Sequence, residues 1–151
     1  MNWLQTTTQV QLLGLFAHPH DLTHALGTMG NHVNNGDSVT VAILTDGGGT
    51  HNERLFEELR KGEGERDSGV TEQDHNEYTE QKYDEARRAC ALFGIDDVRF
   101  MGYPDKPLKP SDELMEDVAD LICEVKPDVL ITEVPSKQTK SRTSNAQDDH
   151  T

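Results

Sequence analysis

The chain has 151 residues, about the size of one domain, and its 28 acidic against 14 basic residues give a formal charge of −14. This charge argues against a nucleic-acid partner, because binding to a phosphate backbone requires clustered lysine and arginine. With no basic n-region and no apolar run of the roughly 18 residues that a membrane span needs, we expect a cytoplasmic protein with no membrane span.

Apolar runs alternate along the chain with segments of helical spacing, which predicts alternating strands and helices. Each run has the length of a strand buried on both faces of a parallel sheet. These runs cover residues 10–17, 38–45, 98–103 and 128–134. Helical spacing predicts helices at residues 22–33, 78–92 and 111–126. Gly94 after the second helix and Ser111 before the third are the expected C-cap and N-cap residues.

This alternation predicts an α/β fold, Rossmann-like and doubly wound, with a mainly parallel sheet and flanking helices. Ligands of such sheets bind outside the carboxyl ends of the strands. We therefore expect one site to be formed by three strand tips and by the tail after residue 134. The tips are residues 18–21, 45–49 and 103–105.

Several side chains outside these tips are expected to have no functional role. Cys90 and Cys123 fall within predicted helices, which favours two buried, reduced thiols over a disulfide. His24 and His32 are assigned to the polar side of the first helix.

The polar segment 51–76 is too long for an ordinary connection between a strand and a helix. A substrate lid and a disordered segment are both compatible with its composition. Its two histidines, His51 and His75, are interpreted as solvated.

The sequence His-Pro-His-Asp directly follows the first predicted strand, where turn residues are more usual. His18 and Asp21 offer a nitrogen and an oxygen to one ion, and a distant third ligand, for which His150 is the candidate, would complete an open zinc site. Such a site polarises a carbonyl group and suits hydrolysis of an amide or ester. Alternatively, Asp21 only caps the following helix and His18 is a satisfied turn histidine. The residues alone leave both interpretations open.

Four stretches occur in an order that is similar to the PIG-L/LmbE-like family, the zinc-dependent deacetylases that include GlcNAc-PI de-N-acetylase. They are AHPHDLTHALGTMGNHVNNGDSVTVAILTDGG, KYDEARRACALFGIDDVRFMGYPD, PDVLITEVP and the terminal QDDH. They resemble, in order, the family's A-H-P-D-D-E opening with its T-x-G, its R-x-x-E helix and G-Y-x-D strand, a further strand, and H-x-D-H. The resemblance covers nearly the whole chain and implies an LmbE-like fold.

The resemblance implies that His18, Asp21 and His150 are the ligands of Zn²⁺. Where the family has an Asp as its presumed general base, this chain has His20. An imidazole can take a proton near neutral pH, and it could equally become a metal ligand. Leu22 replaces the Glu that closes the family's opening motif.

The other departures fall on the remaining motifs. Gln147 replaces the first His of H-x-D-H, and it can donate a hydrogen bond to an oxyanion but cannot carry a proton. Asp149 keeps the family's Asp. Lys82 stands where the helix Arg is usual, while Glu85 keeps its place. The implied catalytic group is His20, Gln147 and Asp149.

The resemblance implies a zinc-dependent N-deacetylase acting on a small-molecule N-acetylated amino sugar or glycoconjugate of the N-acetylglucosamine type. The alternative is a non-catalytic metal- or sugar-binding remnant of the same fold. For Asp105, a role beside the metal or on the sugar and a role in the turn are both open. A nucleotide-binding interpretation of TDGGG at 45–49 lacks a properly spaced third glycine. Because the family continues beyond H-x-D-H, residues 1–151 are expected to form the N-terminal portion of a single, C-terminally truncated family domain.

Overall fold

The computed structural model describes residues 9–48, 52–105 and 108–133. Its strands are β1 (Gln11–Phe16), β2 (Ser38–Thr45), β3 (Asp97–Tyr103) and β4 (Val129–Thr132). Its α-helices are α1 (Leu26–Asn34), α2 (Glu53–Leu59), α3 (Asp74–Leu92) and α4 (Asp112–Val125). Short 3-10 turns occupy Asp21–His24 and Glu63–Glu65, and a π turn occupies Gly69–Gln73.

The four strands form one parallel sheet in the order β3-β2-β1-β4. The chain moves outward from β1 to β3 and then returns to the other side of β1, so the strand order reverses beside β1. This reversal is the hallmark of a doubly wound sheet and marks the edge where ligands bind. The predicted Rossmann-like α/β fold is confirmed.

The two faces of the sheet carry cores of different size. The larger cluster lies on the face that contacts α1 and α3, and it includes Leu12, Met29, Val41 and Cys90, each fully buried. The opposite face is covered by α4 and has the smaller cluster of Leu13, Ala42 and Leu121. The turn after β1 therefore leads the chain directly into the larger core.

The helix ends agree with the predicted signals. Ser111 accepts a hydrogen bond from the Leu114 N–H at 3.1 Å and caps α4. Gly94 has a positive φ of 74° after α3, a conformation that glycine adopts without strain. None of the helices in the described part of the chain combines the length and apolar character that crossing a bilayer requires.

The disordered alternative for the polar segment and the burial of Cys123 were wrong, whereas the lid alternative stays a prediction. Within the polar segment, residues 52–76 form α2, two short turns and the start of α3, which begins four residues earlier than predicted. Cys123 is exposed on α4, whereas Cys90 is buried as expected, and both thiols are free. Burial raises the pKa of the Cys90 thiol to about 11, so this thiol stays protonated at neutral pH.

Candidate metal centre

Asp21 closes the turn that follows β1. Its Oδ2 atom accepts a hydrogen bond from the His18 backbone N–H at 2.8 Å and lies 2.9 Å from His18 Nδ1. The N-cap position of the next 3-10 turn belongs to His20, and no side chain caps that turn. Asp21 thus holds His18, three residues before it, in place. The interpretation of Asp21 as a helix cap is wrong.

The second ring nitrogen of His18 faces another acidic residue. His18 Nε2 lies 2.7 Å from Asp105 Oδ1, and the Asp105 side chain, at the end of β3, is only 1% exposed. Two carboxylates therefore flank one imidazole. A buried carboxylate beside a ligand histidine orients the ring, which favours the role of Asp105 beside the metal over a role in the turn.

His20 lies against the same group. Its Nε2 is 3.0 Å from Asp21 Oδ1, and its ring stacks on His18 with the centroids 5.5 Å apart. Ligand atoms of His18, His20 and Asp21 all lie within 4.8 Å of one another, a nitrogen, nitrogen and oxygen set that fits Zn²⁺. The sequence predicted two of these three as ligands and left His20 open between a base and a ligand.

The remaining predicted site residues, Gln147, Asp149 and His150, lie outside the described residues. Their roles stay predictions. Within the described ranges, the group of His18, His20 and Asp21 is the one cluster of three side chains with metal-ligand spacing.

Asp46 connects the tip of β2 to the same edge. Its Oδ1 accepts hydrogen bonds from the backbone N–H groups of Gly48 at 2.9 Å and Asp105 at 3.3 Å. Its Oδ2 lies 3.0 Å from Nε2 of His75 on α3. His75 is thus half-buried and paired, so its interpretation as solvated was wrong. Local periodicity carries no signal for this contact, because it joins residues 29 positions apart.

The glycines after β2 allow close approach of neighbouring groups. A Cβ atom on Gly48 would lie 2.0 Å from the His75 ring, and one on Gly47 would lie 2.8 Å from Pro19. Gly47 also has a positive φ of 67°. These glycines therefore allow the β2 tip to pack closely against the β1 turn and α3, which accounts for them without a nucleotide.

A cavity of about 230 Å³ opens beside His20, between the turn after β1 and α3. Lys82 and Glu85, the two helix residues aligned with the family's R-x-x-E motif, lie in its wall. Lys82 Nζ is 2.7 Å from Glu85 Oε2. This hydrogen bond raises the pKa of Lys82 and lowers the pKa of Glu85, so both side chains are charged at neutral pH.

Comparison with known proteins supports the fold and identifies the family. No curated protein sequence matches the chain significantly. Among solved structures, N,N'-diacetylchitobiose deacetylase from Pyrococcus horikoshii is similar, with a TM-score of 0.62 and 20% identity over 79% of this chain and 39% of that one. GalB, the 4-carboxy-2-hydroxymuconate hydratase from Pseudomonas putida, has a TM-score of 0.62 and 23% identity over 79% and 45%. The conserved protein TT1542 from Thermus thermophilus has a TM-score of 0.59 and 21% identity over 85% and 49%.

At these identities the likeness shows the fold, and the chain spans less than half the length of these three structures. The sequence profile of the family described as PIG-L: GlcNAc-PI de-N-acetylase matches residues 13–151. That match covers the turn after β1, the tips of β2 and β3, and the terminal QDDH. The chain therefore belongs to the PIG-L family, as the order of its motifs predicted.

Proposed function

We propose that this chain is a zinc-dependent N-deacetylase that hydrolyses the acetamide of an N-acetylglucosamine-type substrate. The observation that carries the proposal is that two proposed ligands, His18 and Asp21, and the proposed base His20 have polar atoms within 4.8 Å of one another, in a chain of the PIG-L family. The fold likeness to N,N'-diacetylchitobiose deacetylase supports an N-acetylated amino sugar or glycoconjugate as the small-molecule substrate.

His18 and Asp21 would hold the zinc ion, with His150 as the proposed third ligand. Bound zinc supplies a Lewis acid for the amide carbonyl and lowers the pKa of a water molecule. Asp105 orients the His18 ring through the 2.7 Å contact with its Nε2 atom. The buried Asp21 carboxylate would bind the ion, and it braces the backbone of the turn by accepting the His18 N–H.

His20 is the proposed general base. Its ring is exposed at the mouth of the cavity, and Asp21 Oδ1 lies 3.0 Å from its Nε2. An imidazole has the proton affinity for base catalysis at neutral pH, and it can pass the proton to the leaving amine. In this proposal Gln147 donates a hydrogen bond to the developing oxyanion, and Asp149 accepts one from a neighbouring group.

The proposal is tested by acetate release from N-acetylglucosamine and N,N'-diacetylchitobiose after loading the protein with zinc. We expect His18→Ala to lose bound zinc and activity together. His20→Asp, which restores the family's residue, is expected to keep or raise activity, whereas His20→Ala lowers it by about 10²- to 10⁴-fold. His24→Ala is the matched control, because His24 is exposed in the same turn and lies outside the metal group.

The alternative function is a metal- or sugar-binding remnant without turnover. The observation that favours it is the replacement of the family's base and of its motif histidine by His20 and Gln147. GalB, which is described as a hydratase, also shows that this fold occurs with chemistry other than deacetylation. Stoichiometric zinc with no acetate release from either the wild-type chain or His20→Asp would favour the remnant over the enzyme.

A further inference from the structure

We propose that the cavity beside His20 binds an apolar, ring-sized group carried by the substrate. This inference rests on the proposed function for the rest of the substrate, and it adds a requirement for a substituent that a simple N-acetylated sugar lacks. The cavity is bounded by the turn after β1 on one side and by α3 on the other.

Apolar side chains form most of the cavity wall. They include Pro19 and Leu22 from the turn side, and Ala86 and Ala89 from successive turns of α3. An apolar cavity of about 150 Å³ is large enough to hold benzene. The volume here is about 230 Å³, so a six-membered aromatic ring with a short linker would fit.

The charged groups at this cavity neutralise each other. Lys82 Nζ contacts Glu85 Oε2 at 2.7 Å and lies 5.2 Å from the centre of the Tyr78 ring. The ammonium group is therefore already paired with a carboxylate and with an aromatic face. An anionic substituent would have to displace Glu85, whereas a neutral apolar group leaves this arrangement intact.

Position links the cavity to the proposed reaction. His20 lines the cavity and also contacts Asp21 at 3.0 Å within the metal-ligand group. A group in the cavity thus lies one side chain away from the centre at which the amide would react. Such a group belongs either to the acyl side of the amide or to the aglycone of the amino sugar, and both have the same apolar chemistry.

Isothermal titration tests the proposal with three probes on the zinc-loaded His20→Gln variant, which lacks the proposed base and therefore binds the probes without consuming them. They are N-acetylglucosamine, N-benzoylglucosamine for the acyl side, and benzyl 2-acetamido-2-deoxy-β-D-glucoside for the aglycone side. Full burial of a ring of this size corresponds to a gain of about 10- to 100-fold in affinity. We expect one of the two ring-bearing probes to show that gain over N-acetylglucosamine, which identifies the source of the ring.

Ala89→Leu fills the cavity from α3 while keeping a good helix former. We expect it to remove the gain for the ring-bearing probe and to leave the affinity for N-acetylglucosamine within about twofold. Ala91→Leu is the matched control, because it makes the same change at an exposed position of the same helix. If thermal melting shows that Ala89→Leu does not fold, Ala89→Met makes the same test with a more adaptable side chain.

The proposal is overturned if neither ring-bearing probe binds more tightly than N-acetylglucosamine, or if Ala91→Leu reduces the gain as much as Ala89→Leu. Its failure and that of the deacetylase proposal are distinguishable. Hydrolysis of N-acetylglucosamine by the wild-type chain, without any gain for the rings, would sink the subsite alone. A gain that Ala89→Leu removes, without hydrolysis of any probe by the wild-type chain, would sink the deacetylase alone.

Discussion

Two histidines of this chain make nearly the same contact at opposite ends of the sheet. His32 near the end of α1 has its Nδ1 atom 2.7 Å from Asp37, which precedes β2 at the amino end of the strands. His18 follows β1 at the carboxyl end, with its Nδ1 atom 2.9 Å from Asp21. The sequence did not predict that each of these histidines would have an aspartate as its partner.

The groups around the two pairs differ. Asp37 also accepts a hydrogen bond from the Val10 N–H at 2.9 Å, so the pair joins the end of α1 to the approaches of β1 and β2. His18 instead has a second carboxylate on its other nitrogen and a second histidine stacked on its ring. The His32–Asp37 pair therefore joins elements of the fold, whereas His18 lies in a group of side chains with metal-ligand spacing.

The largest expected difference between the two pairs is the change in zinc affinity when each histidine is removed. His18→Ala should weaken zinc binding by more than about 100-fold, because loss of a ligand exceeds the 10- to 100-fold effect of losing a partner of a ligand. His32→Ala should leave the zinc affinity unchanged. Competition titration with a chromophoric chelator measures both, and an equal loss in the two variants would remove the distinction between the pairs.

The partners of the histidines give the next contrast. Asp105→Asn keeps the shape of the side chain but loses the charge that faces His18 Nε2, so we expect zinc affinity to fall about 10- to 100-fold. Asp37→Asn should have no effect on zinc affinity. An unchanged affinity in Asp105→Asn would mean that Asp105 serves only to shape the turn after β3.

The free energy of unfolding in the absence of zinc should fall in both histidine variants. His32→Ala leaves a largely buried Asp37 without its imidazole, at a cost of about 1–3 kcal/mol in the free energy of unfolding. His18→Ala leaves the buried carboxylates of Asp21 and Asp105 without the imidazole that they share, so the expected cost is at least as large. Urea denaturation in the presence of a chelator compares each variant with wild type, and an unchanged free energy of unfolding in His32→Ala would contradict a stabilising role for the His32–Asp37 pair.

The smallest expected effect is the pH dependence of the stability difference between Asp37→Asn and wild type. The hydrogen bond from the Val10 N–H, and then that from His32, hold the pKa of Asp37 below its ordinary value of 3.8. A lowered pKa in the folded state stabilises the fold above pH 3.8, and this stabilisation is lost as the pH falls through the folded-state pKa. Asp37→Asn should therefore be less stable than wild type at pH 6, with a gap that narrows below about pH 4. A gap that stays constant in urea denaturation at both pH values would show that the charge of Asp37 does not matter.

Much of the fold was predictable because it depends on local patterns. The apolar runs of β1 and β2 and the cap at Ser111 each involve residues close together in the chain, so spacing and turn chemistry were enough. The convergence of the three strand tips also followed, because parallel strands end at one edge. The polar segment was harder, since residues 52–76 form helices without a strong apolar stripe.

Individual side-chain partners could not be predicted. His32 was assigned to the polar side of the first helix and His75 was interpreted as solvated, yet each has an aspartate partner in the fold, at 2.7 and 3.0 Å. Asp21 was weighed as a helix cap, and its carboxylate instead accepts the His18 N–H. Each outcome depends on the path of the backbone within one turn, which residue types and spacing leave open.

By itself, the sequence determined the alternation of strands and helices, the membership of the PIG-L family and the position of His18, His20 and Asp21 after the first buried strand. Those features depend on local periodicity and on the order of short motifs along the chain. Tertiary structure alone decided that Asp105 contacts the ring of His18, which lies 87 residues away in the sequence. It also decided that Ala86 and Ala89 line a cavity beside His20. The physical reason is that crossover connections bring distant strand tips and helix faces to one edge of the sheet, at distances that only packing of the whole core defines.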